Sequence, residues 1–300
     1  MSHLPVTYYF HLESLPDDLR PYIMQEFAGA GAKHLVLTDS LLARIAAKPN
    51  FADTLMKEMA DFGMTFLDSH AQFGNCIDLN CPFPEKRKVT LALHKLTLEI
   101  CSYMKVGTIT MHVGNFRRSV YGDVPHETQT NMIKEALAEL LPVAEKCGIT
   151  ICIENIWFPS NSPDALLDIK KEFPTGYLGF CYDAGHANIM AKGGNYPTSA
   201  AHTGWEDTGD GTPVWENQAL EKMLPHVVNC HLHDNDGSID SHYLPGMGNV
   251  DWNHVCSLLA QAPQLRVIQS EVVPTLDNVT IVNLTRKFGE LSQLINGKHI

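Results

Sequence analysis

The run Val227-Val228-Asn229-Cys230-His231-Leu232-His233-Asp234 begins as an apolar stretch of strand length and ends in His, His and Asp. Asp240 and His242 follow, then a turn, Pro245-Gly246-Met247-Gly248. A strand that passes from apolar residues into metal-type ligands predicts a site at its C-terminal end. The arrangement recurs: His70, His112, Glu154, Asp183 with His186, and Glu271 all close or follow runs of strand length. Imidazole and carboxylate together suit zinc, manganese, iron or cobalt, whereas calcium takes oxygen alone. Asp183 and His186 sit three apart across a strand exit, and Asp240 and His242 sit two apart, so an extended loop would turn both the same way. Any single histidine is more often a satisfied core or surface residue. The shared strand-end position of the whole set is what points to a divalent metal.

Glu154 and Glu271 suggest more than ligation. Carboxylates on two separate strands can flank a substrate from two sides. A metal between them keeps both ionised and lowers the pKa of a bound hydroxyl. That suits proton abstraction next to a carbonyl, with the metal chelating carbonyl and hydroxyl and stabilising the enediolate. The bland alternative for each glutamate is a structural salt bridge with Lys or Arg.

The elements that must position these residues alternate. Strands are expected over 6–11, 34–38, 64–70, 108–112, 149–155, 178–183, 227–234 and 265–271. Helices are expected over 16–29, 51–62, 85–104, 127–147, 162–173, 252–261 and 278–294, with Asp39 or Ser40 as a further cap. The strands are short and apolar on both sides, as parallel strands covered by helices are. The pattern predicts a single (β/α)8 TIM barrel over residues 1–300, whose C-terminal strand ends converge on one mouth. The runner-up, a doubly wound open sheet, lacks its Gly-rich phosphate turn here. The segment 193–215 is too long for an ordinary βα loop and reads as a lid over the mouth or a mobile excursion. Arg117 and Arg118 either reach a phosphate or carboxylate or are solvated charges.

The net charge of −12 argues against broad binding to nucleic acid or anionic membrane, though not against a local basic groove. No apolar run approaches membrane-spanning length, and the first residues lack a basic region followed by an apolar one, so a soluble cytoplasmic protein is expected. The eight cysteines contain no CxxC pair and read as buried reduced thiols.

Taken together, Ile153-Glu154-Asn155, Asp183-Ala184-Gly185-His186, His231-Leu232-His233-Asp234, Asp240-Ser241-His242 with the turn and Asp251-Trp252 after it, and Glu271 resemble the xylose isomerase-like barrels. That superfamily holds sugar and sugar-phosphate isomerases and epimerases, and the endonuclease IV type of abasic-site nuclease. The resemblance implies that Glu154, Asp183, His231 and Glu271 bind one divalent metal and that the two glutamates exchange the substrate proton. His186 matches a substrate contact in the epimerases and a metal ligand in the nucleases. His70, His112, Asp240 and His242 match further ligands of the nuclease's trinuclear zinc cluster, and Phe73 lies near its aromatic wedge.

The expectation is therefore a metal-dependent sugar or sugar-phosphate isomerase or epimerase, with manganese, zinc, iron or cobalt. Analogy with such barrels leaves a homo-oligomer open. The alternative is an endonuclease IV-like abasic-site phosphodiesterase with a multi-zinc site. Against it stand the bulky Asn155-Ile156-Trp157-Phe158-Pro159 after the fifth strand and the absence of Arg or Lys from 72–84. The lysine signatures of xylose isomerase are not evident, so its hydride shift is not implied. A non-catalytic sugar-binding barrel is the third reading.

Overall fold

The computed structural model describes residues 3–275 and 278–297. Its strands are Val6–Tyr8 (β1), His34–Leu37 (β2), Thr65–His70 (β3), Thr108–Met111 (β4), Thr150–Glu154 (β5), Leu178–Asp183 (β6), Val227–Leu232 (β7) and Val267–Ser270 (β8). Neighbours pair in parallel and β8 closes on β1, so the sheet is a barrel and not the open alternative. The helices are Arg20–Gly29 (α1), Asp39–Ala47 (α2), Phe51–Asp61 (α3), Pro84–Tyr103 (α4), Arg118–Tyr121 (α5), His126–Cys147 (α6), Pro163–Glu172 (α7), Ala184–Lys192 (α8), Ala200–Thr208 (α9), Ala219–Met223 (α10), Trp252–Leu259 (α11) and Ile281–Ile295 (α12).

Several boundaries differ from those expected. β1 stops at Tyr8, and β4, β7 and β8 stop short of His112, His233 and Glu271. Those side chains still lie at the mouth, on the first residues after the ladder. α2 forms ahead of α3; its cap is Thr38, whose hydroxyl accepts the Leu41 N–H, in place of Asp39 or Ser40. The segment 193–215 contains α9, capped by Ser199. Asp207 on α9 accepts hydrogen bonds from Arg117 Nε at 2.6 Å, Ser119 N at 3.0 Å and Ser119 Oγ at 2.6 Å. Arg117 is therefore ion-paired and not free for a phosphate.

Strand periodicity divides the side chains into two sets. The outward set, including Ile109, Ile151, Ile153, Phe180, Cys230 and Ile268, joins Leu98, Leu137, Leu166 and Leu259 of the helices in one apolar core. Each such fully buried side chain contributes about 1.5–3 kcal/mol, so this shell holds the barrel closed. The inward set is polar. Asn229 Nδ2 on β7 crosses the barrel to Asp68 Oδ2 on β3 at 3.0 Å and to Thr110 Oγ1 on β4 at 3.1 Å. The Gln269 amide beside them is buried with neither end bonded. An interior this polar is not chosen for stability.

All eight cysteines are free, and six are buried. Among the described residues no helix is long and apolar enough to cross a membrane.

Candidate metal centre

Each residue of the set reaches the mouth for a local reason. Glu154 is the last residue of β5 and points inward. Asn155, next along, extends the ladder with its side chain: its Nδ2 donates to Asp183 O at 3.0 Å, and its Oδ1 accepts from Asp183 N at 2.8 Å. β6 runs directly into α8, and Asp183 is the N-cap, its Oδ1 accepting the His186 N–H at 2.6 Å. The three-residue spacing of Asp183 and His186 is therefore capping geometry, and the cap leaves Asp183 Oδ2 directed at the barrel axis. Glu271 follows β8, and its N–H continues the ladder to Leu232 O at 3.2 Å.

Asp240 and His242 arrive on the loop after β7, and Asp234 builds that loop. The fully buried Asp234 carboxylate accepts from Asn235 N, Val250 N, Gly246 N and Trp252 Nε1 at 2.7–3.1 Å. Its backbone bridges Tyr243 in both directions, at 2.8 and 2.9 Å. His242, just before that bridge, sits at φ 50°, a left-handed conformation costing about 1–3 kcal/mol for a residue with a Cβ. Asp234 thus serves the loop and not the centre.

Ligand atoms of Glu154, Asp183, His231 and Glu271 all lie within 4.8 Å of one another, and all four residues are buried. His231 Nδ1 is 2.8 Å from Glu154 Oε1, 3.3 Å from Glu271 Oε1 and 3.9 Å from Asp183 Oδ2. Glu154 faces two ways. Its Oε2 lies 3.0 Å from His112 Nε2 and 3.9 Å from His70 Nε2, yet has no well-aligned hydrogen bond. On the other flank Asp240 Oδ2 gathers His242 Nε2 at 3.0 Å and His186 Nε2 at 3.3 Å, while its Oδ1 is buried without a partner. The structure therefore brings all nine expected residues to one mouth. Phe73 lies against His112 and His70, with ring centroids 4.6 and 5.0 Å apart, and Trp157 lies 4.9 Å from His186 on the opposite wall.

The electrostatics ask for positive charge. Burial pushes the Glu154 carboxyl up, but His231, His112 and His70 outweigh it and hold it well below the usual range. Burial likewise opposes ionised Asp240, and His186 and His242 override it. The imidazoles respond in kind. Burial would lower His186, yet Asp183 and Asp240 raise it far above its usual value. Burial is again overridden at His242, where the Asp240 hydrogen bond and charge lift it to about 9. Protons on imidazole here stand where a divalent cation would supply the charge. Two orphaned carboxylate oxygens and mixed N and O donors fit such an ion.

His233 belongs to the ligand-type run that ends β7 but lies outside the nine candidates, and it too reaches the mouth. It is fully buried, and its Nε2 lies 3.1 Å from Asp183 Oδ2. The signal was present: His231 points inward, so the residue two further along the same run does too.

Comparison with known proteins follows this geometry. A D-tagatose 3-epimerase-like protein superposes with a TM-score of 0.70 over 98% of this chain and 99% of that one, at 20% identity. D-Psicose 3-epimerase from Clostridium cellulolyticum H10, solved with D-tagatose, gives 0.66 over 98% of each chain at 14% identity. Both likenesses show the fold. An uncharacterized protein of Methanocaldococcus jannaschii is 24% identical over 209 residues, and the match spans 68% of this chain but only 64% of that relative's length. The family model described as xylose isomerase-like TIM barrel matches residues 26–268, four-fifths of the chain, and with the closed eight-stranded barrel this places the protein in that family.

Proposed function

We propose that the protein is a divalent-metal-dependent isomerase or epimerase of a sugar or sugar phosphate. The observation that carries this is the convergence of Glu154 and Glu271 on His231 Nδ1, with Asp183 completing the set. Glu154, Asp183, His231 and Glu271 would hold the ion, with manganese, zinc, iron and cobalt all compatible with the donors. Such an ion supplies the electrophile that polarises the carbonyl. The chain's own part is proton transfer. One of the two glutamates takes the proton from the carbon next to the carbonyl, and the other returns a proton to that carbon or its neighbour. Burial of both carboxylates keeps bulk water from competing for that proton. Beside Glu271 a cleft lined by Tyr9, Phe10, His11, Val272 and Val273 gives the rest of the substrate a place. Sugar 3-epimerases among the solved neighbours support the substrate class. Eight free cysteines suit a reducing compartment, and we place the protein in the cytoplasm. The test is solvent deuterium incorporation next to the carbonyl across a panel of ketoses and ketose phosphates. No exchange with any of them would remove this reading.

One observation favours a second reading, an endonuclease IV-like phosphodiesterase. Ligand-type groups continue on both flanks of the central four, His70 and His112 on one and His186, Asp240 and His242 on the other. It predicts three ions per chain and nicking of abasic duplex DNA. Arg117 is already held by Asp207, which removes one cation from any phosphate grip.

A further inference from the structure

Four of the histidines around the centre turn an engaged nitrogen away from it. His70 Nδ1 lies 2.8 Å from Ala71 O, His186 Nδ1 2.9 Å from Asn155 O, and His242 Nδ1 2.7 Å from Glu271 O. A carbonyl only accepts, so each Nδ1 carries a proton, and Nε2 is the nitrogen left for an ion. His231 is turned round: Nδ1 faces the carboxylates, and Nε2 meets Thr110 Oγ1 at 3.2 Å. All four are thus built as ligands are, with the far nitrogen engaged.

His233 is not. Its Nδ1 is buried with no partner. Its Nε2 faces Asp183 Oδ2 at 3.1 Å, Asp240 Oδ1 at 3.6 Å and Glu271 Oε2 at 4.0 Å. As a ligand it would need its proton on Nδ1, where a buried donor without an acceptor is penalised. Nδ1 is unpaired in either tautomer, but only with the proton on Nε2 is the bond to Asp183 made, and that bond decides between them. We propose that His233 is not a ligand but a positioning residue, donating Nε2–H to Asp183 Oδ2. The His186 N–H already holds Oδ1 at 2.6 Å, so the two donors together fix the plane of the Asp183 carboxylate.

Gly185 provides the room. A Cβ there would lie 1.9 Å from His233 Cε1 and 2.5 Å from its Nδ1, so any side chain would drive the ring off Asp183. On its other side the ring stacks on His242, with centroids 4.1 Å apart at 21°. The glycine of Asp183-Ala184-Gly185-His186 is thus required for space beside His233. This inference rests on Asp183 being a metal ligand, as read above.

The test has a metal-free arm and a metal arm. In the metal-free protein labelled with ¹⁵N-histidine, the His233 signal, assigned by its loss in His233→Gln, is expected to be the Nε2–H tautomer. An Nδ1–H tautomer overturns the proposal whether or not metal binds. In Mn²⁺ and Co²⁺ titrations of the full chain, His233→Leu and Gly185→Ala are each expected to weaken binding about 10–100-fold with the number of ions per chain unchanged. His233→Gln, whose amide can still donate, is expected to recover most of that loss. Loss of an ion in His233→Leu would make His233 a ligand, and unchanged affinity in both Leu and Ala variants would leave it without a positioning role. If His233→Leu does not fold, Gly185→Ala and the tautomer decide. If the wild type binds no divalent ion, the metal reading falls, and the tautomer still decides the role of His233.

Discussion

Asp183 and His186 are joined as the cap and the third residue of one helix, Asp183 Oδ1 accepting the His186 N–H at 2.6 Å. One carboxylate therefore has two separable jobs, capping with one oxygen and facing the centre with the other. Asparagine caps nearly as well as aspartate but brings no charge. Asp183→Asn is expected to bind metal at least about 10-fold more weakly while remaining about 0.5–2 kcal/mol more stable than Asp183→Ala. Urea unfolding of the metal-free variants and a metal titration read the two jobs independently. Equal stability of the two variants would mean the cap contributes nothing.

Glu154 and Glu271 carry the proposed proton transfer. Glu154→Gln and Glu271→Gln preserve shape and remove the base. Each is expected to lower turnover about 10²–10⁴-fold. The solvent-deuterium assay measures this once a substrate is found, with circular dichroism to establish folding. Wild-type exchange in either variant would remove that glutamate from the acid–base pair.

What could be read before the structure was known follows from the range of the interactions involved. The barrel was legible because β5, β6 and β7 are short runs buried at every position, as parallel strands covered by helices are, and such runs alternate with helical ones along the chain. The convergence of the nine candidate residues was legible because parallel closure sends every strand's C-terminal end to one mouth. The roles of Asp234 and Arg117 were not. Asp234 looks like a ligand in sequence, and only the fold brings Gly246, Val250 and Trp252 back to it. Arg117 meets Asp207 from 90 positions away. α9 did carry a local signal, Ser199 capping His202, in a stretch rich in glycine.

Asp234→Ala would strip four N–H donors of their acceptor in a buried loop. At about 1–3 kcal/mol for each buried group left unsatisfied, a loss of 3 kcal/mol or more is expected. The loop also holds His242 in its left-handed conformation, so Asp240 and His242 should loosen with it. Amide exchange over 235–250 is expected to accelerate, while the central four ligands still bind an ion. A variant as stable as the wild type would show that water replaces the carboxylate.

His242 sets a pH dependence. Its pKa in the fold is raised to about 9 by Asp240, against an unfolded value of about 6.5. A raised value means the pair's stabilisation is complete below the unfolded value and is lost as pH rises through the folded one. Metal-free protein should therefore lose stability between about pH 6.5 and 9. Metal binding has the opposite slope, because an ion must displace the proton from His231 and its charge disfavours protons on the nearby His186 and His242. The rise in Tm on adding Mn²⁺ is expected to grow across the same window. A rise that is flat with pH would mean these imidazoles are already bare.

The Asp207 contacts decide how freely α9 moves. Arg117 is 41% and Asp207 20% exposed, so the ion pair alone is worth at most about 1 kcal/mol. The same carboxylate also takes two bonds from Ser119, and Trp205 Nε1 donates to Trp157 O at 2.9 Å, tying α9 to the loop after β5. Asp207→Ala should leave global unfolding almost unmoved and speed amide exchange in α9 about fivefold or more, as one to two kcal/mol of local stability implies. If α9 covers the mouth, the same variant raises KM with little change in kcat, because substrate is held less well and the glutamates are untouched. Faster exchange with an unchanged KM would make α9 a brace on the barrel wall and not a cover for the site.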